Sequence, residues 1–510
     1  MTLAPTATGV TARFELDQPT NAVTFVADPT LVRPAWKLVT PGLSFADGRI
    51  SGEIAFDRFE LALTPDPSEI DRTYLSVIRM DQGFAVYGPA LSLSEGATSL
   101  EFEVPEGFVA LAPTDPTQGY SYLGPATAVT LVGGANFVAG ANVPPWLGER
   151  IRASLTATLP FYTAQLGTPP LTPLVLVSVD SPGPTAFRGD VSGGGVVSLR
   201  FHGEKWAKAD PEAGRSVDRF VAHEGFHLWN GQGYRPLDGE TAPWLHEGAA
   251  EYASMLAYLA VSGGEDNEAA MRLKLGSHLR KCLKATKGRS LPVAGEAIQK
   301  GGAVYDCGVV LQWVADLEER SRSGKQRSVL SLWRDVFAAT KNGYGVADFQ
   351  AAAKNPAWNE LLSTNATVDP WKELLATLTA LGVELVNRPE PGDYRGALLH
   401  HLLSQHCEPG QATGFFTEHD HVRLDTGARC GPLSGDPELV AVEGYPFLSD
   451  ARGGFEAAQR VCASNGQLSL QKRDGSPSLW VPCTKVLVIP KVWSVNDAPR
   501  LALPVSSTPR

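Results

Sequence analysis

The stretch that most constrains this 510-residue chain is Val221-Ala-His-Glu-Gly-Phe-His-Leu-Trp-Asn230, followed by Trp244-Leu-His-Glu-Gly-Ala-Ala-Glu-Tyr252. His223 and His227 stand four residues apart, which on a helix sets both imidazoles on one face, one turn from each other. Such a pair can reach a single ion, but a tetrahedral zinc site needs at least one more protein ligand. Glu247, with nineteen residues between it and His227 and early in a second helical pattern, supplies that ligand. Glu224, beside the first histidine, is placed to take a proton from water. The competing reading is a surface helix whose His and Glu meet solvent. Val221, Ala222, Phe226 and Leu228 oppose it, because they make the stretch too apolar for a solvated face. A buried cluster of two imidazoles and a carboxylate needs a partner, and a metal satisfies all three.

The pattern His-Glu-x-x-His-x-Trp-Asn, then Arg235-Pro236, then Trp-Leu-x-Glu-Gly-x-x-x-Tyr resembles the glycyl aminopeptidase family of zinc peptidases. That family is related to the aminopeptidase N and leukotriene A4 hydrolase group. The resemblance covers residues 190 to 320 well and the flanks only by general layout. It implies one zinc ion held by His223, His227 and Glu247, with Glu224 as general base, in a thermolysin-like domain. His246 competes with Glu247 for the third position. Neighbouring helix residues point about 100° apart, so only one can serve, and the Trp-Leu-x-Glu-Gly context selects Glu247.

Two further segments follow from the resemblance. Tyr305, 58 positions after Glu247, opens a Tyr-x-x-Gly segment similar to the family's Tyr-x-Lys-Gly. It would donate a hydrogen bond to the oxyanion of a tetrahedral intermediate, a role that suits a neutral phenol; packing at a helix start is the alternative. The segment Gly194-Gly-Val-Val-Ser198 occupies the place of the family's substrate strand. Gly194, Gly195 and Val196 could still bind a peptide as an added strand. Val197 stands where the family has the glutamate that holds the α-amino group. Asp190 or Glu251 could replace that acid, with Glu251, one turn after Glu247, named as the amine contact; a surface loop acid and a structural acid are the plainer readings.

The length calls for more than one core. Net charge is −11 with no long basic run, which argues against a nucleic-acid partner. No apolar run of about eighteen residues is present, so no membrane span is expected. The N-terminus lacks the basic and apolar parts of a signal peptide. Six cysteines, all in the second half, fit up to three disulfides and a periplasmic or secreted protein, with Cys282–Cys307 one candidate pair. Free buried thiols and a cytoplasmic protein are the alternative.

The expected architecture is multidomain α+β. Residues 1–145 read as a β-sandwich, from alternating runs such as Ala22–Val26 and Arg58–Leu63 broken by Pro, Gly and Asp. Residues 146–385 read as the mainly helical zinc domain. Helices are expected from Pro144 to about Leu166, from near Gly214 to around Asn230, and at about 243–262, 267–285, 303–320, 326–340 and 369–381. A linker is expected at Asn387–Asp393. Residues 390–510 read as a small β-rich domain whose segment order resembles a PDZ domain; a generic disulfide-pinned β domain fits nearly as well. His400, His401, His406, His419 and His421 lack metal-ligand spacing. The whole points to a zinc peptidase acting on a peptide or protein, with an aminopeptidase favoured by the resemblance. An endopeptidase, a hydrolase of a non-peptide such as an epoxide, and a peptide-binding protein without turnover remain alternatives.

Overall fold

The computed structural model describes residues 1–501 except 29, 34, 67–73, 170, 181–184, 193, 342, 355, 366–368, 410, 412 and 489–491. They form two compact units, one of residues 1–382 with the C-terminal segment from Pro499, the other of Val383–Ala498. Alternation along Val10–Thr24 buries Val10, Ala12 and Phe14 and exposes Arg13 and Glu15, as a half-buried strand requires. This strand pairs antiparallel with Arg49–Leu63 in a six-stranded sheet. A four-stranded sheet shares its core, and Phe14, Phe25, Trp36 and Phe59 meet in that core through stacked and edge-on rings.

The sheet that positions the functional residues has five strands. In spatial order they are Thr130–Val132, Ala135–Ala139, Leu174–Asp180, Val196–His202 and Ala186–Ser192. The second to the fourth are parallel, and Ala186–Ser192 joins them antiparallel on one side only. That strand was not expected from the sequence, and it takes the sheet edge that Gly194–Ser198 was expected to hold. Val196–His202 is instead an inner strand, hydrogen-bonded on both sides. Gly194 and Gly195, at φ +90° and +101°, make the tight turn between the two strands, a backbone conformation that glycine adopts without strain.

The first helix, Pro145–Leu166, has the expected span and starts with proline at its first position. The motif helix runs from Pro211 to His227. It begins earlier than expected because Asp210 caps it, accepting from the Glu212 N–H, and Pro211 follows. Beyond His227 the chain widens into a π-helical turn, Leu228–Gly233. Below the motif helix, Tyr162 donates to the Ala222 carbonyl at 2.9 Å, and Phe226 and Trp229 close edge-on against the same ring. Burying each of these aromatic side chains contributes about 1.5–3 kcal/mol.

Helices Pro243–Ser262, Glu265–Thr286, Gly302–Arg322, Val329–Ala339 and Pro370–Ala380 fall within a few residues of expectation. Val346–Ala353 and Pro356–Leu361 are additional. Helices 243–262 and 302–322 cross at Gly248 and Gly308. A β-carbon on Gly248 would stand 2.2 Å from the Gly308 Cα, and one on Gly308 would stand 2.0 Å from the Trp244 carbonyl oxygen. Only hydrogens fit there. The disulfide Cys282–Cys307 fastens helix 265–286 to helix 302–322 one residue before that contact.

In the second unit the expected linker is short: a helix, Pro391–His406, already begins within it, with the Asp393 carboxylate accepting from the Glu390 N–H. Its first-position proline reads as a breaker from sequence, yet it suits a helix start. His400, His401 and His406 lie on this helix. A strand, Glu438–Val442, a helix, Ala451–Ala463, and a strand, Gln467–Lys472, follow in the expected order. Disulfides Cys407–Cys430 and Cys462–Cys483 complete the pairing of all six cysteines. Among the described residues no helix is long and apolar enough to cross a membrane.

The glycine crossing gives a direct prediction. Gly248→Ala should force the two helices apart at a cost of about 1–3 kcal/mol, the usual penalty of an overpacked core. The shift in denaturant midpoint relative to the parent protein measures it.

Candidate metal centre

His223 and His227 come from the last turn of the motif helix, and Glu247 from the first turns of helix 243–262. The His223 and His227 Nε2 atoms are 3.2 Å apart, and the nearer Glu247 oxygen lies 3.3 and 3.7 Å from them. Ligands about 2.0–2.1 Å from a tetrahedral zinc ion stand about 3.3 Å from one another. The triangle and its donor types therefore fit a four-coordinate zinc site. His246 does not join it. Its Nδ1–H donates to the Asn230 carbonyl at 2.9 Å, with the Tyr344 hydroxyl 3.2 Å away, while its ring stacks on His227 at 4.4 Å.

Each of these two histidines is held from behind. His223 Nδ1 faces a Glu251 oxygen at 3.4 Å, and His227 Nδ1 faces Asn230 Oδ1 at 2.9 Å. Asn230 in turn donates from Nδ2 to the His246 carbonyl, which fixes its orientation. Such partners keep the hydrogen on Nδ1 and turn the Nε2 lone pair toward the site. The π-helical turn carries Asn230 to this position. Glu251 was expected to meet a substrate amine. It does line the cleft, but its other oxygen accepts from Arg219 Nη2 and, at 2.9 Å, from Lys274 Nζ, so it serves as a positioning group.

The charges show what belongs between these residues. Burial alone would lower the His223 imidazole, yet hydrogen bonds to Glu247 and Glu251 and the charge of Glu224 raise it to about 10. Glu247 is held well below the usual carboxylate range: burial opposes this, and the two histidines outweigh it. Glu251 falls to about 2 against the same burial penalty, through its hydrogen bond to His223 and the charge of Arg219. The cluster favours a positive charge at the His223 Nε2 position, whether proton or metal. Glu224 goes the other way, raised by burial against the pull of the two histidines. A raised carboxyl pKa suits a group that must both take and return a proton.

His223, Glu224 and Glu251 line a cleft of about 760 Å³, a size suited to a small ligand. The edge strand forms one wall. A β-carbon on Gly189 would lie 2.1 Å from the Glu224 carboxyl carbon, so the strand passes directly against the base. Tyr305 borders the cleft, 38% exposed, its ring 5.9 Å from that of His223. Burial, then the charges of Glu247, Glu224 and Glu251, keep its phenol protonated. Of the residues expected from sequence, the structure gathers His223, Glu224, His227, Glu247, Glu251 and Tyr305. Gly194, Gly195 and Val196 are not among the cleft-lining residues, because the edge belongs to the neighbouring strand.

No family model matches the chain, and no curated protein matches it in sequence. Its fold is similar to the crystal structure of an aminopeptidase N family protein from Idiomarina loihiensis, at a TM-score of 0.58 and 14% identity. The match covers 97% of this chain and 98% of that one. The fold is aminopeptidase-like. At this identity the likeness concerns the multidomain α+β architecture alone.

Sequence reading passed over Gly189, Arg219, Phe220 and Lys274, all of which line the cleft. Arg219 and Phe220 carried a usable signal, since they precede His223 by four and three residues and so share its helix face. Gly189 and Lys274 carried none, because only tertiary packing brings them in. In ion-free protein, His223 should stay protonated at pH 8. His246, lowered to about 3 chiefly by burial and then by the charge of His227, should stay neutral at pH 5. Imidazole nitrogen shifts in histidine-labelled protein distinguish these states.

Proposed function

We propose that this protein is a zinc-dependent peptidase, of the aminopeptidase type, that hydrolyses peptide bonds in the cleft beside the edge strand. The observation that carries the proposal is the triangle of His223, His227 and Glu247 donors with Glu224 buried beside it. Three supports for hydrolysis converge on one cleft: a metal-fitting donor set, a carboxyl raised toward a base's working range, and a neutral phenol.

His223, His227 and Glu247 would hold one zinc ion. When bound, zinc supplies Lewis acidity that polarises a carbonyl and makes water more acidic. Glu224 accepts the water proton and passes it to the departing amine nitrogen. Tyr305 donates its hydroxyl hydrogen to the oxygen that gains charge as the carbonyl carbon becomes tetrahedral. Among the described residues no further strand pairs with Ala186–Ser192 on its outer side, so an extended substrate adds there as a further strand and is aligned along Glu224, short of Val191, whose carbonyl accepts from Gln232. Gly189 lets that alignment happen, since any side chain there would occupy the carboxylate's place. Burial around Glu224 keeps bulk water from screening these charges.

Three disulfides support a periplasmic or extracellular setting for this activity. The strand–helix–strand order of 438–472 supports a PDZ-like reading of the second unit.

Glu224→Gln should retain zinc, measured by elemental analysis, and lose at least a thousandfold in turnover. The substrate is a mixed peptide library read by mass spectrometry. Single residues released from free N-termini would establish the aminopeptidase; internal cuts would assign an endopeptidase instead. If zinc-loaded wild type leaves every peptide intact, the reading fails. Tyr305→Phe should lower kcat about 10²- to 10³-fold with little change in KM, as expected for a hydrogen bond made mainly in the transition state.

A further inference from the structure

The cleft is not uniform along its length. Phe187, near the start of the edge strand, packs against Phe220 at 4.7 Å between ring centres, one turn before His223. Gly189 lies against Glu224, and Asp190 comes next, toward Tyr74, whose hydroxyl is 3.4 Å from one Asp190 oxygen. The strand therefore runs in step with the motif helix, and the two ends of the cleft carry different chemistry. At the Phe187 end stand Arg219 and Lys274, both lining the cleft. At the Asp190 end a buried carboxylate oxygen has no hydrogen-bond partner among the described residues.

Arg219 and Lys274 share a single carboxylate oxygen, Glu251 Oε1, while Glu251 Oε2 faces His223. Among the described residues, Glu251 is the one anion these two cations are hydrogen-bonded to. Donors are also left over. A guanidinium carries five N–H groups and an ammonium three. The Arg219 Nε–H is buried with no acceptor among the described residues, and the Lys274 side chain is 30% exposed. The placement is firm. Lys274 sits on helix 265–286, which is tied to the tyrosine-bearing helix by Cys282–Cys307 and by a 2.6 Å hydrogen bond between His278 and Asp306. The path from His223 Nδ1 to Lys274 Nζ takes two steps, 3.4 and 2.9 Å, through Glu251. An extended residue spans about 3.3–3.6 Å, so the cations are in reach of a group one or two residues beyond the bond at Glu224.

We propose that Arg219 and Lys274 form a carboxylate subsite that binds the free C-terminus of a short peptide, making di- and tripeptides the preferred substrate class. This assignment rests on the peptidase reading above. The two cations give an extended peptide one favourable direction, carboxylate toward Arg219 and Lys274 and amino end toward Asp190, beside which Arg200 also lines the cleft. The apolar wall of Phe187 and Phe220 strengthens the attraction by excluding water. A longer chain, or one with a blocked C-terminus, places a neutral amide where the cations sit and leaves them without an anion.

The test compares Ala-Ala-Ala with its C-terminal amide on zinc-loaded protein, by kcat/KM for the wild type and by calorimetric Kd for Glu224→Gln. The free acid should be favoured about ten- to a hundredfold in both, the range of a charge-assisted contact. Lys274→Met and Arg219→Met should each reduce that ratio several-fold. A wild-type ratio near one overturns the subsite. So does an unchanged ratio in both variants with the two peptides weakened equally, because that marks the pair as a mere support for Glu251. If neither peptide is hydrolysed but the acid still binds more tightly than the amide, the peptidase reading fails and the subsite stands. If both are hydrolysed at equal efficiency, the subsite fails alone.

Discussion

The contact between Gly248 and Gly308 is the constraint on which the rest of the centre depends. Helix 243–262 carries Glu247 one residue before it, and helix 302–322 carries Tyr305 three residues before it and Cys307 one before. With no β-carbon on either glycine, the backbones meet at van der Waals distance, and the two functional side chains enter one space. The motif helix packs against helix 243–262 and delivers His223 and His227 to the same point. A Gly following the ligand Glu is thus a packing requirement as much as a sequence signature. Substituting it would move a ligand, not merely a surface.

Burying three carboxyl groups and two imidazoles together is costly unless each charge is compensated. The compensation here is organised around Glu251. One oxygen orients His223; the other gathers Arg219 and Lys274. The same carboxylate therefore sets the tautomer of a candidate metal ligand and holds two cations at the cleft wall. Asn230 does the first of these jobs for His227 without charge. The asymmetry matters, because the His223 side sets Arg219 and Lys274 at the cleft wall. An acidic chain with net charge −11 thus presents a local cationic patch beside its deepest carboxylates.

Much of this was legible in the sequence. The i, i+4 spacing of His223 and His227 needs only helical geometry, and the apolar neighbours Val221, Ala222, Phe226 and Leu228 announce burial. Helix spans such as 145–166 and 243–262 follow from periodicity and capping prolines. The edge strand was less visible. Ala186–Ser192 is short, contains Arg188, Gly189 and Asp190, and lacks the apolar alternation that marks a strand, because an edge beside a cleft does not need it. Gly194–Ser198 was assigned to the substrate strand by its resemblance, whereas the strand Val196–His202 is apolar because it is inside the sheet. Gly194 and Gly195 serve a turn.

The sequence by itself determined the types of the candidate ligands, their helical phase and the carboxylate beside them, since these depend on spacing within one or two helices. It also determined that six cysteines could pair. Tertiary structure alone decided which strand borders the cleft, that Glu251 is held by Arg219 and Lys274, and that Gly189 lies against Glu224. Those contacts join residues far apart in the chain, across a sheet register and a helix crossing. No local periodicity encodes which residue a side chain meets once separate elements pack.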